Sequence, residues 1–192
     1  MLQHFIWKGG LWMSNPEVMR CVQQIFEESC TVLLSGLSNL AVKTDGMTEE
    51  LVEVPIARID AGSNDLEITI CLQFPISVLA LTYPVQDDIT SVYEERLEDW
   101  ISELSNQLVG RVKNKLLGHN CLLNLGLPTS YFGSDVSHLL PEHGELSSIY
   151  FDVAGETCAF HIAIEVFEEN LQFTLEEAED PAAIDDGELE LF

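Results

Sequence analysis

The chain has 192 residues, which suits one domain of ordinary size with some length to spare. It carries 33 acidic and 8 basic residues, a formal net charge of −25, which argues against nucleic acid and anionic membranes as partners because phosphate binding needs clustered Lys and Arg. Its 5 cysteines are scattered without a Cys-x-x-Cys pair, and no cleavable signal precedes them, so we expect reduced thiols in the cytoplasm.

The first regular element is predicted to be a long helix. Asn15 is a good N-cap, Pro16 suits the first helical position, and apolar residues then recur with a helical period until Gly36. Two strands are expected next, over residues 50–59 and 66–72, and the turn residues between them predict that the strands pair antiparallel.

The apolar segment 74–83 fits a buried strand or a short helix equally well. A long amphipathic helix follows, with its body placed from about residue 89 to Leu117. Beyond it, a short apolar segment at residues 121–125 and the stretch 126–133 are followed by a polar loop that extends through Glu145. Two closing strands are predicted over residues 148–153 and 157–167, and the alternation of apolar residues in the second indicates that one of its faces is buried.

Both ends of the chain are expected to lie outside the domain. Residues 1–13 lack the basic start and continuous apolar run of a signal or membrane anchor, and we expect them to be disordered or to derive from a misplaced start codon. The last eighteen residues, 175–192, hold eight acidic residues and no basic one, and this composition predicts that residues 169–192 form a disordered tail. The folded domain is accordingly placed at residues 14–168.

The long central helix has two contrasting faces. At about 100° per residue, one side collects an apolar stripe of Ile101, Leu104, Leu108, Val112 and Leu116. The opposite side, here called the polar face, collects Asp99, Glu103, Asn106, Gly110 and Lys113. Glu103 and Asn106 lie one turn apart, and Gly110 leaves a notch one turn further. Because a mid-helix glycine costs about 1 kcal/mol relative to alanine, it usually has a packing or functional reason. The polar face is therefore the candidate working surface, and a merely solvated face is the alternative.

Common catalytic and metal signatures are missing from the sequence. It contains no Gly-x-x-x-x-Gly-Lys loop, no Gly-x-Gly-x-x-Gly, no His-Glu-x-x-His and no Gly-x-Ser-x-Gly. Cys158 and His161 stand three apart in a predicted strand and so point to opposite faces, and His138 and His143 stand five apart, which is better explained as ordinary loop histidines. No metal site is predicted.

The sequence nevertheless resembles the CheX branch of the CheC/CheX/FliY phosphatases. The resemblance rests on the motif Ser102-Glu103-Leu104-Ser105-Asn106-Gln107-Leu108-Val109-Gly110 and on its spacing to Leu127-Pro128-Thr129 and Gly133. It implies an α/β (α+β) fold in which an antiparallel β-sheet is backed by long helices, and a frequent pairing as a homodimer. It also implies that residues 74–83 form a short helix.

The resemblance further implies a phosphatase that hydrolyses the aspartyl-phosphate of a CheY-like receiver domain. Glu103 and Asn106 match the family's Glu-x-x-Asn motif, in which the amide orients the attacking water and the carboxylate docks to the receiver. Asp99, Gly110 and Lys113 would lie in the partner contact. The Mg²⁺ ion belongs to the receiver, so the chain needs no cofactor of its own.

The first helix bears on the number of sites, and two other functions are alternatives to the phosphatase. CheC-type relatives carry a second Glu-x-x-Asn motif on the first helix, but Glu27 and Glu28 are followed three positions later by Cys30 and Thr31, so one site per chain is expected. A non-catalytic dimeric binding module for a response regulator is the second functional hypothesis. An unrelated acidic interaction protein with a solvated helix face is the third.

Overall fold

The computed structural model describes residues 15–46, 51, 53–84, 94–168 and 171–173. The predicted N-terminal extension, the first residues predicted for the central helix and residues 174–192 of the predicted tail lie outside these ranges. The elements in chain order are α1 (Pro16–Leu37), β1 (Ala41–Thr44), β2 (Val54–Gly62), β3 (Leu66–Gln73), α2 (Ile76–Thr82), α3 (Glu94–Leu117), β4 (Asn124–Leu125), β5 (Thr129–Gly133), β6 (Glu145–Val153) and β7 (Glu156–Val166).

The seven strands form one antiparallel sheet in the order β1-β6-β7-β3-β2-β4, and β5 pairs with β2 beside β4. Helices α1 and α3 pack side by side on one face of this sheet, here called the helix face, with α1 against β6 and β7 and α3 against β2. The predicted fold class, an antiparallel sheet backed by long helices, is confirmed. None of the described helices combines the length and apolar character that a membrane crossing requires.

Helix α1 begins as its sequence predicts. The Asn15 side-chain oxygen accepts a hydrogen bond from the backbone N–H of Val18 at 3.2 Å, and Pro16 occupies the first helical position. The Asn15 amide also donates to the Leu171 carbonyl at 2.8 Å, which ties the start of α1 to the chain after the last strand. Asn15 therefore caps its own helix and also holds a segment that is distant along the chain.

The hairpin β2–β3 is confirmed, but β2 lies further along the chain than predicted. It runs to Gly62, which pairs with Glu67, and the connection shrinks to residues 63–65. The Ser63 hydroxyl closes this turn by accepting hydrogen bonds from the N–H groups of Asp65 and Leu66 at 3.2 and 3.1 Å.

Segment 74–83 contains the short helix α2, as the resemblance implied.

The main core lies between the sheet and the helices. Phe160 at its centre meets Phe74 and Phe151 edge to face, with ring centroids 5.2 and 5.6 Å apart. The opposite face of the sheet, here called the far face, carries a smaller apolar cluster of Ile56, Cys71, Val136 and Leu139. Residues after β5 therefore cover part of the far face.

Strands β1, β4 and β5 were not predicted. Every side chain of β5 is at least partly exposed, so its residues lack the apolar alternation that marks a half-buried strand. The strand forms through pairing with Val54–Arg58 of β2. Just before it, Gly126 donates to the Asp60 carbonyl at 2.7 Å, and an added Cβ would lie 2.9 Å from that oxygen, so only glycine permits the contact.

Candidate functional site

Helix α3 is positioned by an apolar stripe that fits its period. The five predicted residues of the stripe are all fully buried, together with Val109, which the prediction did not name. The predicted five are Ile101, Leu104, Leu108, Val112 and Leu116. On one flank of α3, Lys115 forms an ion pair of 2.7 Å with Glu28 of α1. This packing fixes which side of the helix faces outward.

The polar face of α3 lies outward over its whole length. Asp99 and Glu103 are exposed, and Asn106, Gly110 and Lys113 are partly exposed. All five lie on one uninterrupted helix, so the side chains of Glu103 and Asn106 stand one turn apart on neighbouring positions of its surface. The structure therefore brings the predicted residues together on one accessible strip.

Glu103 and Asn106 differ in how they are held. The Gln107 side-chain amide donates a hydrogen bond of 3.1 Å to Glu103 Oε1, which restrains the carboxylate. Within the described part of the chain, no hydrogen bond joins the Asn106 side chain to another residue. The amide is thus free to bind a molecule from outside, and its oxygen accepts and its nitrogen donates.

Gly110 has no packing reason inside the described structure. A Cβ added at this position would meet nothing within 4 Å, so alanine would fit in open space. The conformational cost of glycine in a helix, about 1 kcal/mol relative to alanine, is therefore not offset by a close internal contact. Glycine leaves this point of the polar face without a side chain, one turn beyond Asn106 along the helix.

The acidic residues of α1 are engaged elsewhere. Glu27 forms an ion pair with Lys43 of β1, and Glu28 forms the ion pair with Lys115 described above. The hydrogen bond from Lys115 lowers the pKa of the Glu28 carboxyl. Cys30 is fully buried in the core. The expectation of one site per chain stays a prediction, and these contacts give α1 a structural use for both carboxylates.

A polar chain of hydrogen bonds crosses the far face of the sheet. His161 of β7 is only 7% exposed, and its two ring nitrogens contact Gln73 Oε1 at 2.9 Å and Ser148 Oγ at 2.8 Å. Because Gln73 Nε2 donates to the Ser134 carbonyl at 3.1 Å, the Gln73 oxygen is turned to His161. Nε2 of the imidazole must therefore carry the proton, and Nδ1 accepts from the Ser148 hydroxyl.

This network keeps His161 neutral and structural. Burial lowers the pKa of the His161 imidazole to about 4. Cys158 points to the opposite face and lies in the main core, as predicted for a residue three positions away on a strand. Across the described ranges, no three His, Cys, Asp or Glu side chains are grouped so that they could hold a metal ion.

A pair of carboxylates lies on the same face of the sheet, four residues further along β7 from His161. Glu67 of β3 and Glu165 of β7 are direct cross-strand partners. Burial is the main cause that raises the pKa of each, and the Glu67 charge adds to the effect on Glu165. Asp60 nearby is held by Arg58 at 3.0 Å and by the Thr69 hydroxyl at 2.7 Å. The far face is thus acidic as well as polar.

Comparison with known proteins gives matches at the level of structure. No family model matches the sequence, and no curated protein matches it. A chemotactic CheC-like protein from Shewanella oneidensis superimposes with a TM-score of 0.62 at 16% identity, over 74% of this chain and 96% of that one. CheX from Vibrio vulnificus gives 0.61 at 13% identity, over 75% and 96%.

A chain of the CheX–CheY–BeF3–Mg²⁺ complex from Borrelia burgdorferi gives a TM-score of 0.58 at 14% identity, over 74% of this chain and 97% of that one. At these identities the similarity establishes the fold. The chain has the fold of CheX and CheC-like chemotaxis proteins, which the resemblance of its central motif predicted.

Proposed function

We propose that this protein is a CheX-like phosphatase that hydrolyses the aspartyl-phosphate of a CheY-like receiver domain. The observation that carries the proposal is the Asn106 amide, which is partly exposed and has no hydrogen-bond partner among the described residues, one turn from Glu103 on an outward helix face. The shared fold supports it, and so does the presence of CheY with BeF3 and Mg²⁺ in the complex of one structural neighbour.

The chemistry requires little beyond placing a water molecule. In receiver domains the metal ion neutralises the charge on the phosphoryl group, and the aspartate carboxylate is the leaving group. A second protein therefore contributes mainly by fixing a water in line with the bond that breaks. The Asn106 carbonyl oxygen accepts a hydrogen bond from that water without adding a negative charge next to the phosphoryl oxygens.

Glu103 docks the receiver, and the rest of the polar face shapes the contact. Its carboxylate pairs with the active-site lysine of the receiver, while Gln107 restrains the carboxylate from the next turn at 3.1 Å. Gly110 lets the partner's backbone approach the helix, and Asp99 and Lys113 lie at the rim. Mg²⁺ comes with the receiver.

The expected rate effect is within reach of one well-placed group. An acceleration of about 100-fold corresponds to about 2.7 kcal/mol of transition-state stabilisation. Single positioned hydrogen-bonding groups contribute about this much in other enzymes. No additional catalytic side chain is required by this estimate.

The test is the loss of phosphoryl label from a panel of receiver domains in the presence of Mg²⁺. The intact protein should accelerate the loss from at least one receiver, and Asn106→Ala should abolish the acceleration while leaving binding intact. Asn114→Ala is the matched control, because Asn114 is an exposed amide two turns later on α3. If receivers bind but keep their label, the protein is a binding module. The homodimer implied by the resemblance stays a prediction that light scattering tests.

A further inference from the structure

The sheet edge beside α3 exposes apolar side chains. Leu127 is 88% exposed immediately before β5, and Phe132 within β5 is 47% exposed. One edge of β5 pairs with β2, and no strand in the described ranges pairs with its other edge. Exposed aromatic and aliphatic side chains grouped at one edge mark an interaction surface more often than isolated ones do.

Phe132 points to the side of the sheet on which α3 lies. Phe132 is the cross-strand partner of Pro55, and Ser130 is the partner of Ala57. Ala57 belongs to the main core beneath the helices, and residues two apart on a strand share a face. Phe132 therefore lies on the helix face, and β5 contacts α3 directly.

Asn106 is turned toward this flank of α3. Nine residues separate Asn106 from Lys115, which at about 100° per residue places the two side chains on opposite sides of the helix. Lys115 points to α1, where it pairs with Glu28. The sheet order puts α1 over β6 and β7 and puts β5 beyond β2, on the other flank of α3. Asn106 thus faces away from α1 and toward β5.

The polar face alone is too small to form a specific interface. A stable interface takes about 800 Å² and about 20–30 residues from each partner, which exceeds what one strip of five helix positions offers. A protein seated on α3 must also touch a neighbouring element. The α1 flank presents the ion-paired carboxylates Glu27 and Glu28, whereas the β5 flank presents Leu127 and Phe132.

Charge favours the same flank. The chain carries a net charge of −25, so the approach of a phosphorylated and acidic domain gains little from long-range attraction. Affinity must then come from apolar area buried at contact, and aromatic side chains are common among the residues that carry it.

We propose that Leu127 and Phe132 form a second docking surface for the receiver domain that binds the polar face of α3. This inference rests on the proposed function for its partner. The receiver spans from α3 across to β5, so Asn106 lies inside the interface and the water that it holds is shielded from bulk solvent.

The test measures the dissociation constants of the same panel of receiver domains, each loaded with BeF3 and Mg²⁺, whether or not label loss is seen. Phe132→Ala and Leu127→Ala should each weaken binding about tenfold, a typical effect for a central contact. In steady-state hydrolysis the same variants should raise KM with kcat unchanged. Val42→Ala is the matched control, because Val42 is an apolar residue, 62% exposed, on strand β1 at the opposite edge of the sheet.

The outcomes separate this proposal from the function on which it rests. Unchanged binding by both variants, with their circular dichroism and melting intact, overturns the docking surface. A change in oligomeric state without a change in receiver affinity also overturns it and assigns the edge to a second copy of the chain. Receiver binding that depends on Phe132 but brings no label loss supports the docking surface and overturns only the hydrolysis. If no receiver binds, both proposals fail.

Discussion

Acid should destabilise this protein through one buried imidazole. His161 is neutral in the folded state because burial lowers its pKa from 6.5 to about 4, and the groups that contact it, Gln73, Ser148 and the Tyr150 ring, carry no charge. Below pH 6.5 the unfolded chain takes up a proton that the folded state resists. The stability that depends on neutral His161 is therefore complete above about pH 6.5 and is lost as the pH falls toward 4.

The size of the loss follows from the two pKa values. A full shift from 6.5 to about 4 corresponds to about 3 kcal/mol, and about 2.5 kcal/mol of it should be lost by pH 4.5. This is a large part of the free energy of unfolding of an ordinary domain. Protonation also forces the Ser148 hydroxyl to give up its role as donor to Nδ1.

Urea denaturation at pH 7 and pH 4.5 measures the effect, with His161→Gln as the comparison. Glutamine lacks a titrating group and keeps an N–H donor for the Gln73 oxygen. Any stability that the substitution itself costs is therefore the same at both pH values and cancels when the two losses are compared. The wild type should lose about 2.5 kcal/mol more than the variant between the two pH values. Equal losses in the two proteins would refute the assignment of the acid sensitivity to His161.

Three further predictions concern other described features. Glu67→Gln should raise the free energy of unfolding at pH 7 by about 0.5 kcal/mol after solvent screening, because burial and then the Asp60 charge raise the pKa of Glu67 in the folded state, and burial and then the Glu67 charge raise the pKa of Glu165. Urea denaturation should show a smaller gain at pH 4, and a loss at pH 7 would contradict this. Gly110→Ala should raise the free energy of unfolding by up to about 1 kcal/mol and slow label loss, whereas greater stability at full activity would show that no partner uses the notch. Added salt should speed receiver association in stopped-flow mixing, because screening over about 8 Å weakens the repulsion between two acidic proteins; a strong slowing would exclude this account of the encounter.

Local patterns in the sequence were sufficient for the long helices α1 and α3 and for strand β7, but not for the short helix α2. The cap at Asn15 and Pro16 places the start of α1, and the helical period identifies both faces of α3. The alternation in β7 marks its core-facing side, where Cys158 and Phe160 are buried. Each of these signals depends on neighbours within a few residues along the chain, so the sequence contains them directly.

The features that could not be predicted from the sequence depend on contacts with residues that are distant along the chain. Strand β5 has no buried side chain and forms against β2 through pairs such as Thr129 with Arg58. The connection after β2 resembled a longer turn because Gly62 is a turn former, although pairing with Glu67 keeps it in the strand. The contact between His161 and Gln73 spans 88 residues of sequence and has no local signature.

The candidate site, too, could be predicted from the sequence only in part. The period of α3 predicts that Glu103 and Asn106 share an outward face, and the structure bears out that placement. The absence of a hydrogen-bond partner for Asn106 within the described residues, and the open space around Gly110, needed the coordinates. The roles of these residues depend on a second molecule, so a single sequence and a single structure support them as proposals.

The bond between Asn15 and the Leu171 carbonyl has a consequence for the order of folding. It joins residues 156 apart, which makes it one of the longest closures along this chain. Closing such a loop costs more chain entropy than closing the hairpin β6–β7, whose strands are separated only by Ala154 and Gly155. The hydrogen bond that holds the first turn of α1 therefore forms late in folding, after the strands between Asn15 and Leu171 have assembled. In native-state hydrogen exchange, this turn should be among the first parts of α1 to open.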